Sequence, residues 1–250
     1  MDIWIEGLRL RRRLLKTARN IIFGKTRNLA RKYLTSAGTI GLVVHVGAHL
    51  GQEAEAYRGM GATRVIWIEG DPDIYKRLVR CLQSAEADAE RPVEHMAICA
   101  LVSDQEGKAV AFHRFNNDGA SSSMYLPTKC SKDYWPGLDA VGCPVELRTR
   151  TLEAILDEVG IEQPANGKSL LVLDVQGHEL GVLAGIGRYA CAFDLCECEV
   201  SKEEIYKGGA LYPEVRATFE SLGYAMISHS EENVPWHGDV IFARNTRIAS

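Results

Sequence analysis

Val43-Val44-His45-Val46-Gly47-Ala48-His49-Leu50-Gly51-Gln52-Glu53 reads as a β-branched strand, a glycine turn and the start of a helix. That unit opens an α/β sheet, whose ligands sit in the crevice outside the carboxyl ends of the strands. Glycine permits positive φ and close backbone approach, while a helix N-terminus offers free N–H groups.

Outward from this turn the same alternation continues. Strands are expected at Ile40–Val46, Arg64–Glu69, Val93–Ala100, Leu170–Val175, Phe193–Val200, Tyr224–Ser228 and Val240–Ala243. Helical patterns fill Gln52–Met60, Pro72–Ser84, Leu152–Val159, Leu180–Gly185 and Pro213–Leu222. Such alternation predicts a Rossmann-like α/β domain with a seven-stranded, mostly parallel sheet. Lys108–Phe115 reads as an extra strand after the Asp104–Gly107 turn, and residues 116–147 break the rhythm as a lid-like insertion.

Charge is unevenly spread. The first 34 residues hold ten Lys/Arg against two acids, a net +8, which leaves −12 on the rest of a chain whose formal net charge is −4. An acidic body argues against nucleic-acid binding. Residues 1–37 are expected to form a basic arm and 38–250 the α/β domain. In the arm Ile3, Trp4, Leu8, Leu15, Ala18 and Ile22 recur at helical spacing, an amphipathic helix suited to packing on the domain or a second subunit, or to a membrane surface. No run reaches the roughly 18 apolar residues that cross a bilayer. The seven Cys form no CxxC pair, which suits reduced thiols and a cytoplasmic location.

Two cofactor classes compete for the turn. A dinucleotide wants G-x-G-x-x-G, but His49 and Gln52 occupy the second and third glycine positions counted from Gly47. A cofactor without a pyrophosphate tolerates G-x-x-x-G, which points to S-adenosylmethionine. Glu69 ends the next strand, where a carboxylate accepts two hydrogen bonds from a ribose diol. Further on, Leu170-Leu171-Val172-Leu173-Asp174-Val175-Gln176-Gly177-His178-Glu179 discharges Asp174, Gln176 and His178 toward the same crevice; a simple turn cap is the alternative for Asp174.

Taken in order, these blocks resemble the FkbM-type S-adenosylmethionine-dependent methyltransferases over roughly residues 40–245. The others are VIWIEGDPD, HMAICALVSDQEGKAVAFHRF, GASSSMY, VELRTRTLEAIL, ECEVSKEEIYKGGALYPEVRATFESLGY and GDVIFAR. The resemblance implies cofactor contacts at Gly47, Ala48, His49, Gly51, Glu69, Asp71, Ala97 and Asp174. Asp174, Gly177 and Glu179 match the family's DxEGxE segment. The chain departs from the family at His45, commonly Asp, and at Gln176, commonly Glu. The implied reaction is O-methylation of a hydroxyl, with a saccharide of a glycan or glycolipid, as in polysaccharide biosynthesis, as the expected acceptor. An NAD-dependent sugar dehydrogenase and a non-catalytic scaffold in a glycan assembly complex are the rivals.

An aliphatic hydroxyl must lose its proton as the new bond forms. Asp174, His178 and Glu199 are the candidate catalytic residues, although a lone His after a turn is more often a surface hydrogen-bonder. Ser123, Gln176, Glu199, Trp236 and His237 are the candidate acceptor contacts, with Trp236 free to close the core instead. No ligand spacing compels a metal, and none is expected.

Overall fold

The computed structural model describes residues 39–87, 89–162, 164, 167–229 and 236–245. The predicted basic arm lies outside these residues. Strands β1 (Ile40–Val46), β2 (Arg64–Glu69), β3 (Glu94–Cys99), β7 (Lys168–Leu173), β8 (Leu195–Ser201), β9 (Tyr224–Met226) and β10 (His237–Arg244) form a seven-stranded sheet, in the order β3-β2-β1-β7-β8-β10-β9. All pairs from β3 to β8 are parallel, while β10 runs antiparallel to both neighbours. The seven strands and the antiparallel last one are as expected from the sequence.

The central strands β1, β2 and β7 are buried on both faces because helices cover both. Leu42, Val44 and Val46 join a core with helices α4 (Leu152–Val159), α5 (Glu179–Ala184) and α6 (Tyr212–Ser221). Ile40 and Val43 pack on the other face with α1 (Ala54–Gly59) and α2 (Pro72–Glu86). In α2 the buried residues Ile74, Leu78 and Leu82 fall one turn apart, and Asp71 caps its start by accepting the Asp73 N–H at 2.8 Å. Thr151 caps α4 in the same manner, and Gly160 ends it in the left-handed conformation.

Several boundaries differ from the sequence reading. The chain after β3 does not stop at Ala100 but swings out as β4 (Leu101–Ser103). With β5 (Ala109–Phe112) and β6 (Val145–Thr151) it makes a second, three-stranded sheet, so the extra strand is shorter than expected and belongs to its own layer. Between β5 and β6 the insertion is not wholly irregular: α3 (Lys129–Tyr134) is capped by the Thr128 hydroxyl. The last strand begins at His237 rather than Val240, which carries His237 into the sheet.

Candidate active site

The first turn is built by close packing of two strand ends. Gly47 has φ +86°, and a Cβ there would lie 1.8 Å from the Asp174 carbonyl oxygen, so the β1 and β7 exits touch through backbone. Gly51 has φ +70°, and its Cβ would meet Leu78 at 2.9 Å, which seats the turn on α2. The Gly47 and Ala48 N–H groups both donate to the Ile68 carbonyl at the end of β2.

Glu69 finishes that strand, nearly buried. Its two oxygens accept the His49 and Asp71 N–H groups, at 2.8 and 2.7 Å. Burial raises its pKa, against those two bonds. Each carboxylate oxygen keeps a further acceptor direction. His49 turns its ring outward: Nε2 lies 3.0 Å from the Asp118 carbonyl and Nδ1 2.7 Å from the Gln52 amide. Asp71 is engaged twice, as the cap of α2 and by a bidentate pair with Arg114 at 2.6 and 2.7 Å. Ala97 pairs with Trp67 in the middle of the edge strand β3, short of that strand's carboxyl end, and packs on the core. His45 faces the same layer, 3.0 Å from the Tyr57 hydroxyl, its ring beside Trp67.

A second group gathers where β7 and β8 end. The parallel register pairs Leu173 with Cys198, so the next residues along each chain are Asp174 and Glu199. Gln176 stands between them. Its Nε2 donates to Asp174 Oδ1 at 2.5 Å and to Glu199 Oε2 at 2.7 Å, while its Oε1 accepts from the Tyr206 hydroxyl at 2.5 Å. His237 Nε2 lies 3.4 Å from Glu199 Oε1. Burial, with Glu199 alongside, pushes the Asp174 carboxyl well above the usual carboxylate range. For His237 burial opposes the charged form, but Glu199 and then Asp239 outweigh it and raise the pKa. Gly177, Glu179, Glu199, Tyr206 and His237 enclose a cavity of about 20 Å³, room for one water or one hydroxyl. Burial lifts the Glu179 carboxyl to about 7.

His178 is not in this group. Its Nε2 lies 2.9 Å from the Ser103 hydroxyl and Nδ1 3.0 Å from the Tyr125 hydroxyl, and burial lowers its pKa to about 4. It lines an adjoining cleft of about 720 Å³ with Lys108, Tyr125, Gly209 and Glu214. Ser123 is fully buried: its hydroxyl donates to the Gln176 carbonyl at 2.8 Å and accepts the Tyr125 N–H. Trp236 packs its ring 3.8 Å from Tyr134 and 5.8 Å from Trp135, and Trp135 also meets the His237 ring edge at 5.3 Å.

Compared with known proteins, the chain matches the methyltransferase FkbM domain over residues 45–226, well over half its length. The chain belongs to the FkbM methyltransferase family. It is therefore an S-adenosylmethionine-dependent methyltransferase. A curated relative, the 2-O-methyltransferase NoeI of Sinorhizobium fredii (strain NBRC 101917 / NGR234), is 25% identical over 217 residues, covering 83% of this chain and 80% of its own. Among solved structures, an FkbM methyltransferase from Methylobacillus flagellatus KT aligns over 82% of this chain and 43% of its own, with 13% identity and a TM-score of 0.46. Magnesium protoporphyrin IX methyltransferase of Synechocystis PCC 6803 aligns over 92% and 84%, with 9% identity and a TM-score of 0.48.

The residues present suit the family's cofactor. The FkbM turn is held open in a conformation that only glycine takes freely at Gly47 and Gly51, and Glu69 is fixed by two backbone donors with acceptor capacity to spare. Sequence reasoning had not singled out Tyr206, Arg114 or Asp118. Tyr206 lies in a quoted family block but in a loop without periodicity, and Arg114 finds its partner 43 residues away. No local pattern marks either one.

Proposed function

We propose that this FkbM methyltransferase transfers a methyl group to a hydroxyl of a saccharide. The observation that carries the reading is the Asp174–Gln176–Glu199–His237 group, set at the strand ends against the glycine turn. S-adenosylmethionine, when bound, supplies an electrophilic methyl on a positively charged sulfur. The protein's task is to align an acceptor oxygen with that methyl and to take its proton.

In this reading Glu69 holds the ribose hydroxyls, and the Gly47–Gly51 turn receives the amino-acid end. Ala48 and His49 contribute backbone, while Asp71 acts through the Arg114 clamp rather than by contact. Glu199 accepts the acceptor's proton, with His237 beside it to balance the charge. Asp174, packed on the turn, orders the reaction centre. The cavity beside Glu199 is the size of one hydroxyl, and it shares Gly177, Gly209 and Ala210 with the larger cleft, where the rest of a saccharide would extend. Tyr134, Trp135 and Trp236 pack on one another beside His237 and line neither the cavity nor the cleft, so they close the structure there. Ser123 shapes the Gln176 turn. His178, with both nitrogens engaged and little tendency to charge, is a wall of the cleft and not the base.

NoeI, whose name specifies 2-O-methylation, favours oxygen over nitrogen or carbon as the acceptor atom. The test is methyl-labelled S-adenosylmethionine offered with neutral saccharides, nucleosides and amines. Label in an alkali-stable saccharide ether that Glu199→Gln abolishes supports the reading. Label on nitrogen, or as an alkali-labile ester, refutes it.

A further inference from the structure

Gln176 is held in an unusual place by more contacts than a surface turn needs. Its φ of +53° lies in the left-handed region that side chains mostly avoid. The Ser123 hydroxyl binds its carbonyl, and the following Gly177 has no room for a Cβ beyond 3.2 Å from Tyr206. The Tyr206 hydroxyl then fixes which end of the amide faces which way, because its one proton goes to Oε1 at 2.5 Å, the Ser121 carbonyl lying farther off at 3.3 Å. Both N–H bonds of Nε2 are thereby aimed at acids, one at Asp174 and one at Glu199.

Two carboxylates converging on one point 2.5 and 2.7 Å away are a common way to bind a divalent ion. Here a neutral amide occupies that point. We propose that the Gln176 amide stands where a divalent cation would otherwise be needed, spacing Asp174 and Glu199 and letting both serve without metal. Gln176 is on this account a positioning residue acting through the two acids. The inference rests on the acceptor-side reading of Glu199, but its test reads protons and cations and not methyl transfer, so the two fail separately.

The groups around Asp174 and Gln176 are Glu53, Glu179, Glu199, Tyr206, His237 and Asp239, of which only His237 can carry positive charge. A third carboxyl in place of the amide must therefore hold a proton or a cation. Its folded pKa would lie above its unfolded value, so its contribution to stability would be present at low pH and lost as pH rises.

The experiment is thermal unfolding of the full chain, wild type and Gln176→Glu, at about pH 5 and about pH 8, with EDTA or with manganese(II) chloride. The gap in Tm between variant and wild type should widen by several degrees at the higher pH in EDTA. Manganese should close much of that gap while leaving wild type unmoved. A variant that tracks wild type at both pH values overturns the proposal. So does a saturable manganese stabilisation of wild type as large as that of the variant. If Gln176→Glu does not fold, Gln176→Met removes both donors without adding charge; its gap should also widen with pH, and a constant gap counts against the proposal.

Discussion

Glu69 shows how one side chain can serve the fold and the ligand together. Its oxygens fasten His49 and Asp71, the residues on either side of the crevice, before any ribose is present. Glu69→Ala should therefore weaken S-adenosylhomocysteine binding by about 2 kcal/mol, as two charge-assisted bonds go, and lower Tm besides. Glu69→Gln should cost less on both counts. Calorimetric titration of both variants checks this, and unchanged affinity in the two excludes the ribose role. Gly47→Val meets a harder obstacle, since its side chain would drive into the Asp174 backbone. Loss of cofactor binding should come with a fall in Tm, read by thermal unfolding. Asp174→Asn should reduce turnover more than cofactor affinity; equal losses would make Asp174 a plain binding residue. Glu179 gives a pH signature. With its carboxyl raised to about 7 by burial, its contribution is present below its unfolded pKa and lost as pH climbs through 7. Glu179→Gln keeps the acceptor for the Gly177 N–H and removes the charge. Its Tm relative to wild type should thus rise from about pH 4.5 to about pH 8.

Among the elements, the entry to the insertion is clamped to the start of α2 by charged contacts. Arg114 binds Asp71 through two bonds and Asp73 through a third at 2.9 Å, and Arg77 grips Asp118 at 2.8 and 2.7 Å. Arg114→Ala leaves the buried Asp71 carboxylate with its cap bond but no cation, a loss of about 1–3 kcal/mol. Faster limited proteolysis within residues 116–147, with the main sheet still protected from hydrogen exchange, is the expected result. These attachments also mark where the sequence ceased to be readable. The sheet strands announced themselves by short apolar runs such as Leu170–Leu173, and Asp174 and Glu199 by ending such runs. β6 did not, because Val145-Glu146-Leu147-Arg148-Thr149 alternates as a half-exposed strand does and lay among loop-like neighbours. His237 was placed before its strand because Val240–Ala243 is where the apolar pattern becomes continuous. The bond from Tyr206 to Gln176 spans 30 residues of chain and depends wholly on tertiary packing.

For the whole molecule, charge is the coarsest organiser. The arm's +8 beside an acidic body suits an anionic membrane interface, where each Lys or Arg near the surface contributes about 1 kcal/mol. Among the described residues no helix is long and apolar enough to cross a membrane. Flotation with anionic and neutral vesicles compares the full chain with one starting at Thr35. Salt-sensitive binding that truncation removes supports a membrane role; an unbound full chain whose truncation breaks a dimer makes the arm a subunit contact. The strand order carries a different consequence, for synthesis. β1 is flanked by β2, which follows it closely, and by β7, which begins only at Lys168. While the chain is being made, one edge of β1, with its N–H and C=O groups unpaired, stays bare until the chain beyond Lys168 emerges. A nascent chain stalled after Gly160 would present β1, β2 and β3 with that edge bare. It should be insoluble or chaperone-bound, whereas release after Arg244 should yield folded protein.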